Sequence, residues 1–536
     1  MAHLARIDAI PGLWAVVSGT NGYVLVRNGA SLLVDCPEED CSALLAEAGL
    51  PAPSVVLHTQ VQAEHCGEWQ SFPDAKVYVA DASAEVAKRS AAFFAACETV
   101  WPASREWEYR GEELYGIAGC TTERPPQRAL NVAGTLNAGE SFTWEDVTLE
   151  VVALPGSGKR AIGFFWREAG ILFSGDLLHA GGYLVNFFDL ERGYGTPDGY
   201  RQLRESLQRA AALSPARMLP TTGPVISDPA ADLAALLERM AWFKQSPRRP
   251  ERTTWKRAPL REFGRYKEIV PGIYQNNNFG NMILFVDARG RGLLVDPDPC
   301  VWLPWEESVT AVHADLNLLE AETGLRRIEL VLITHYHGDH CQFSDLVRER
   351  YGAAVCATPD VAILLEEPKR FRYPCTVDWY NFPFASVRVD RRWAYEETVM
   401  WNDVPVTPIH TPGHCFAHAG FLIPWQGMRT ACTGDTLQYG GGPVSQWLPF
   451  SYNDTAWPAR GYAVTYQRVL AAKAELILGG HSSYFFDPAG MILRDMLAVT
   501  AEAEALARRM VPDGDLLTAM TPPGFDALRP ETVVAV

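Results

Sequence analysis

Residues 334–341 read Thr-His-Tyr-His-Gly-Asp-His-Cys, which sets His335, His337, Asp339 and His340 almost side by side. Imidazole nitrogens and a carboxylate at that density suit a divalent cation such as zinc, iron or manganese, and a purely thiolate site is excluded. The octet follows Glu329-Leu330-Val331-Leu332-Ile333, a short apolar run whose β-branching predicts a buried strand. In open α/β sheets, ligand sites form beyond the carboxyl ends of such strands. Three later segments repeat the arrangement: Pro405–His410 leads into Thr411-Pro412-Gly413-His414, Thr430–Thr433 into Gly434-Asp435, and Glu475–Leu478 into Gly479-Gly480-His481. Each strand-like run ends at a glycine, which permits a tight turn, followed by one metal-competent side chain. Of the chain's 12 histidines, five (His335, His337, His340, His414 and His481) stand at these positions, too many for a merely solvated loop.

The octet T-H-x-H-x-D-H, then T-P-G-H, T-G-D and G-G-H, taken in this order across residues 265–490, resemble the metallo-β-lactamase superfamily. The resemblance implies a dinuclear centre. His335, His337 and His414 would hold one ion, Asp339, His340 and His481 the other, and Asp435 would bridge them. Two divalent ions are the implied cofactors, zinc first, with iron or manganese as the other choices. Such a pair shares a water and lowers its pKa toward neutrality, giving a bridging hydroxide that attacks a polarised carbonyl carbon or phosphoryl phosphorus. Asp339 is the expected catalytic residue, orienting the hydroxide and carrying a proton to the leaving group.

The neighbours of these motifs are read more plainly. His410 is expected to pack or support a ligand, and His418 to lie at the surface or behind His414. Cys341 and Cys432 read as small buried thiols. Tyr439, Trp447 and Tyr452, with Trp457, make an aromatic-rich loop after Asp435 that is expected to wall a substrate pocket or to pack.

What must position these residues is legible around them. At 536 residues the chain is long enough for several domains, and 48% apolar residues allow sizeable cores. A net charge of −17 disfavours nucleic acid as the partner. No apolar run approaches a membrane span, and the start lacks a signal-peptide pattern. Eleven scattered cysteines without a C-x-x-C pair fit reduced thiols, so a cytoplasmic location is expected.

The chain also repeats itself. Ile10-Pro11-Gly12-Leu13-Trp14 echoes Val270-Pro271-Gly272-Ile273-Tyr274, and Ser31–Asp35 echoes Gly292–Asp296. Thr59–Cys66 lies on the octet without a gap, Trp144–Val147 on Trp401–Val404, Leu154–Ser157 on Thr411–His414, and Ser174-Gly175-Asp176 on Thr433-Gly434-Asp435. At the seven ligand positions the first copy offers Gln60, Gln62, Glu64, His65, Ser157, Asp176 and Gly223, so both donor sets are broken there. The expected organisation is therefore a degenerate domain over 1–245, a polar proline-bearing linker over 246–264, a catalytic domain over 265–490, and a helix and tail over 491–536. Strand-like runs alternating with amphipathic stretches such as 199–213 and 456–473 argue an α/β class. The resemblance sharpens this to two tandem αββα sandwiches, expected to pair as an intrachain pseudo-dimer, in a monomer or a homo-oligomer.

The function expected is hydrolysis of a small-molecule ester, lactone or thioester. The Thr-Pro-Gly-His and Gly-Asp-Thr motifs resemble the glyoxalase II and lactonase branches. True β-lactamases of this fold usually lack the bridging aspartate, so Asp435 argues against antibiotic hydrolysis. Only Arg460, Arg468 and Lys473 are basic between Asp435 and His481, which weakens a glutathione thioester. The alternatives are an oxidoreductase like the mononuclear-iron persulfide dioxygenases, or a phosphodiesterase like the tRNA 3′-processing enzymes, which also pair a degenerate half with an intact one.

Overall fold

The structure, a computed structural model, describes residues 2–8, 10–37, 40–88, 126, 128–190, 198–244, 257–299, 303–368, 383–437 and 458–520. Tyr439, Trp447, Tyr452 and Trp457 lie outside the described residues. The described residues form two compact units, one from residues up to 244 together with 506–520, the other from 257–505.

In the second unit, side chains alternate along each strand and so serve two cores at once. Leu293 and Val295 of the strand Arg291–Val295 enter one cluster while Leu294 enters another. That strand belongs to an eight-stranded sheet, in the order Arg261–Phe263, Tyr266–Val270, Ile273–Asn276, Ile283–Val286, Arg291–Val295, Arg327–Leu332, Ala354–Ala357 and Arg391–Arg392. A six-stranded sheet follows, Val399–Trp401, Val404–His410, Ala419–Leu422, Thr430–Cys432, Leu476–Leu478 and Tyr484–Phe486. Phe285 and Leu332 of the first sheet meet Phe421 and Leu478 of the second in the core between them. On the outer face of the first sheet, Leu294 and Val331 pack with Val312, Leu316 and Val347 of the helices Trp305–Thr323 and Ser344–Tyr351. Outside the second, Ala431 and Ile477 pack with Tyr466 and Val469 of the helix Pro458–Ala471. The layers are therefore helix, sheet, sheet, helix. Truncating a fully buried leucine such as Leu332 to alanine is worth about 2–5 kcal/mol by the cavity rule.

The first unit repeats this plan. Its seven-stranded sheet runs His3–Arg6, Leu13–Val17, Gly22–Arg27, Ala30–Val34, Pro53–Leu57, Lys76–Ala80 and Val132–Leu136. Its five-stranded sheet runs Arg217–Pro220, Ile171–Gly175, Ile162–Trp166, Val147–Ala153 and Ser141–Trp144. Leu32, Val34 and Leu57 face Val151, Phe164 and Phe173 between the sheets, while Leu33 and Val56 face the other way, toward Leu45. The duplication reaches backbone detail. The parallel pairing of Ala30–Val34 slips between Ser31 and Leu32, and that of Arg291–Val295 slips between Gly292 and Leu293. The aspartates that end these strands, Asp35 (φ 55°) and Asp296 (φ 52°), are both left-handed.

The first unit is also closed by the far end of the chain. Leu184 N donates to Met510 O and Phe187 N to Ala519 O, each at 2.7 Å, and all four residues are buried. Met510 ends the helix Met491–Met510, whose start (Leu493, Met496) packs in the second unit's outer core. Periodicity predicts that helix but carries no signal for where its end is received. Among the described residues, no helix is long and apolar enough to cross a membrane.

Candidate metal centre

All seven ligand candidates of the second unit converge where four strands end: Arg327–Leu332, Val404–His410, Thr430–Cys432 and Leu476–Leu478. Their donor atoms fall into three overlapping groups, His335/His337/His414, His335/His340/Asp435 and Asp339/His340/His481, each with its atoms within 4.8 Å of one another. Asp435 faces both sides. Its Oδ1 lies 3.3 Å from His340 Nε2, and its Oδ2 lies 3.1 Å from His481 Nε2 and 3.5 Å from His414 Nε2. Asp339 Oδ2 stands 3.9 Å from His340 Nε2 and 3.7 Å from His481 Nε2.

The backbone explains why glycines precede the donors. A Cβ on Gly480 would stand 2.0 Å from Asp435 Oδ1, and one on Gly434 would stand 2.6 Å from Thr334 Oγ1. Side chains behind the donors fix their ring orientation. Asp296 accepts from Thr334 N (2.8 Å), Thr334 Oγ1 (2.7 Å) and His340 Nδ1 (2.8 Å), which turns His340 Nε2 toward the centre. Thr334 Oγ1 holds His335 Nδ1 at 3.0 Å, leaving His335 Nε2 buried without a hydrogen-bond partner among the described residues. A buried lone pair of that kind fits a metal ion.

Electrostatics divides the donors into two classes. Burial, reinforced by the charge that neighbouring imidazoles would carry, holds His335 and His337 well below the usual histidine range. Burial also holds His414 down to about 4, although Asp435 opposes it. These three present neutral nitrogens, the form a cation needs. For His340, burial is outweighed by Asp435, Asp296 and Asp339, and its proton is held well above the usual range. Asp435 similarly outweighs burial at His481. Asp435 itself sits well below the carboxylate range: burial opposes this, and His481, His340 and His414 prevail.

The neighbours resolve as follows. His418, expected at the surface or behind His414, is fully buried; Nδ1 meets Thr411 Oγ1 at 2.7 Å and its ring stacks on His335, centroids 4.8 Å apart. The pairing of residue 335 with residue 418 draws it inward, which spacing along one strand does not reveal. His410 donates from Nε2 to Phe416 O (2.7 Å) and packs rather than ligates. Burial raises the Cys341 and Cys432 thiols, which makes them inert.

Three residues at the centre carry no motif. Asp296 is one and Asn281 another. The third is Phe279, 63% exposed, left-handed at φ 60°, with its ring centroid 4.3 Å from that of His481 and its carbonyl accepting from His481 Nδ1 at 3.2 Å. An exposed aromatic in a strained conformation beside a metal donor points to function. Its only sequence signal is the turn Asn276-Asn277-Asn278-Phe279-Gly280 between two strands.

The first unit fills the equivalent space differently. His65 Nε2 lies 2.7 Å from Asp176 Oδ2, and its Nδ1 lies 3.4 Å from Asp35 Oδ2. Gln60 Nε2 and Thr222 Oγ1 donate to Asp176 at 2.9 and 2.7 Å. Asp35 accepts from Thr59 N, Thr59 Oγ1 and Thr221 Oγ1 at 2.8, 2.7 and 2.6 Å. Burial opposes the His65 proton, but Asp176 and Asp35 hold it well above the usual range. Among the described residues, every group of three or more clustered donors lies in the second unit.

The family model of the metallo-beta-lactamase superfamily matches residues 15–222 and again 278–481. Solved structures similar to this chain include a metallo-beta-lactamase family protein from Thermus thermophilus (21% identity, 46% of this chain and 80% of that one, TM-score 0.32). Another is a subclass B3 metallo-beta-lactamase of Bradyrhizobium japonicum (19%, 49% and 90%, TM-score 0.31). A third is a metallo-beta-lactamase from Pontibacter korlensis (16%, 45% and 99%, TM-score 0.32). No curated protein matches the chain.

Proposed function

Since this chain belongs to the metallo-beta-lactamase superfamily, matched once in each half, we propose that its second unit is a dinuclear metal-dependent hydrolase of a small ester, lactone or thioester. One observation carries the reading: the Asp435 carboxylate stands between the two proposed ligand sets, 3.5 Å from His414 on one side and 3.3 and 3.1 Å from His340 and His481 on the other. His335, His337 and His414 would hold one ion and Asp339, His340 and His481 the other. A divalent pair held there would supply an activated water near neutral pH and polarisation of a substrate carbonyl. The protein's own part is to fix the rings of His335 through Thr334 and of His340 through Asp296, and to keep Asp339 within reach of a leaving group. Asp339 is buried, yet at 8% exposure it is more open than His335, His337, His340 and Asp435, which suits proton delivery. The net charge of −17 speaks for a small substrate over a nucleic acid.

Metal content per chain, measured on protein purified without added metal, tests the reading directly. Two divalent ions per chain and chelator-sensitive cleavage of p-nitrophenyl esters, lactones or thioesters are expected. A single iron with consumption of a persulfide alone would replace the hydrolase by an oxidoreductase. Phe279 supplies a finer expectation, because its exposed ring offers an apolar shelf beside His481. Phe279→Ala should raise KM about tenfold for a long acyl chain, the worth of one aromatic contact, and leave kcat for an acetyl ester unchanged. Equal KM values for both substrates in parent and variant would deny the ring a role in binding.

A further inference from the structure

Asn281 is fully buried, and its one amide serves two donors of the same group. Its Oδ1 accepts from His481 N at 2.6 Å, and its Nδ2 donates to Asp339 O at 2.9 Å and lies 3.4 Å from Asp339 Oδ2. The residues it joins are far from it in sequence and arrive from different strand ends. Its own backbone is anchored too, N to Asp298 O at 2.8 Å. His481 needs such an anchor, because its backbone is left-handed (φ 50°) and so is that of Ser482 (φ 63°). A side chain aimed from a strained loop points reliably only if something rigid holds the loop.

The first unit shows what this asparagine does in the absence of a donor set. Ile283 pairs with Val295 and Tyr23 with Val34, so Asn281 and Asn21 occupy the same register, each two residues before the paired position. Asn21 Nδ2 donates to Gly223 O at 2.7 Å and to Pro220 O at 3.2 Å, in the loop where Gly223 stands in place of His481. The carbonyl of Glu64, which falls where Asp339 does, is taken instead by Thr20 Oγ1 at 2.9 Å. The first unit thus divides between two neighbouring side chains what the second concentrates in one amide.

Resting on the dinuclear reading above, we propose that Asn281 is a positioning residue that couples Asp339 to His481 and thereby sets affinity at the second ion's donor group, while the group His335/His337/His414 is indifferent to it. Outer contacts of this kind are typically worth about 10–100-fold in metal affinity.

The test uses the full chain, with Co2+ titrated into metal-free protein and followed by its absorption spectrum and by competition with a chelator. Asn281→Ala should weaken the second equivalent about 10–100-fold and leave the first within about threefold. Asn281→Ser, which can satisfy one contact but not both, should fall between, and it serves if the alanine variant does not fold. Asn21→Ala is the internal control: it removes the bonds of the equivalent asparagine to Gly223 O and Pro220 O, where no complete donor set stands, and both equivalents should bind as in the parent. Asn281 variants that bind both equivalents like the parent would overturn the proposal. So would an equal loss of both equivalents, which marks a merely structural role. A parent protein that binds fewer than two equivalents would instead defeat the dinuclear reading itself, so the two failures are distinguishable.

Discussion

Asp435→Ala is expected to lower turnover by on the order of 10³-fold, comparable to removing a principal electrostatic stabiliser from an active site. Asp435 is the carboxylate that both donor groups share, with contacts of 3.1–3.5 Å to His481, His340 and His414. Removing it leaves three imidazoles around an uncharged gap, and two cations in that space would then repel with less compensation. Metal content should fall below two per chain. The fold should survive, because the cores of the second unit are clusters of apolar residues of which Asp435 is not a member. Asp435→Asn separates shape from charge: the amide fits the same space but brings no negative charge, and its activity should be nearly as low. Far-UV circular dichroism, metal analysis and kcat measured on both variants decide the matter. Parent-like turnover in either would end the dinuclear assignment.

A comparable effect on stability is expected in the other unit, where a proton stands in for a metal. His65→Leu should destabilise the first unit by about 3–5 kcal/mol, the cost of stripping one partner from a buried ion pair. The substitution leaves Asp35 and Asp176, both buried, without the imidazolium between them. The pH dependence has two arms. His65 is held above its unfolded value of about 6.5, so its contribution is complete below that pH and is lost as pH rises through the raised folded value. Asp35 is held below its ordinary value, burial being overcome by His65 and His58, so its contribution is present at neutral pH and is lost as the solution becomes strongly acid. Hydrogen exchange of the strands Pro53–Leu57 and Ile171–Gly175, followed by mass spectrometry, reports on this unit alone. Faster exchange in His65→Leu, with no effect of chelator on the parent in those strands, is the expected pattern. Unchanged protection would show that the triad is not what holds the pocket.

Much of the second unit's donor cluster could be read from the chain, for a physical reason. Few side-chain types can serve as metal donors, and these donors, standing at strand ends, follow glycines that clear their neighbours, so each segment carries two constraints on residue type. The duplicated framework was equally visible, since alternation of Leu32, Leu33 and Val34 is dictated by sheets with two buried faces. What eluded reading were contacts made across the fold. Asn281 meets His481, and Asp296 meets His340, through space that spacing along the chain does not encode. An asparagine before a strand is ordinary turn chemistry, and an aspartate after one is ordinary punctuation. Phe279 is similar: only its exposure and left-handed backbone separate it from a core phenylalanine. His418 was drawn inward by a bridge to residue 335 that no local pattern announces.

The hydrogen bonds from Leu184 and Phe187 to Met510 and Ala519 have a bearing on how the protein is made. Synthesis runs from residue 1 upward, so the unit begun first receives this piece only after the donor segments of the second unit, which end at His481, have left the ribosome. Until then the backbone amides of Leu184 and Phe187 await their carbonyl partners, and the surroundings they are buried in are incomplete. A message cut short before codon 506 would therefore yield a finished donor cluster and an unfinished first unit. Quality control that recognises exposed apolar chain would discard such a product despite its complete donor cluster.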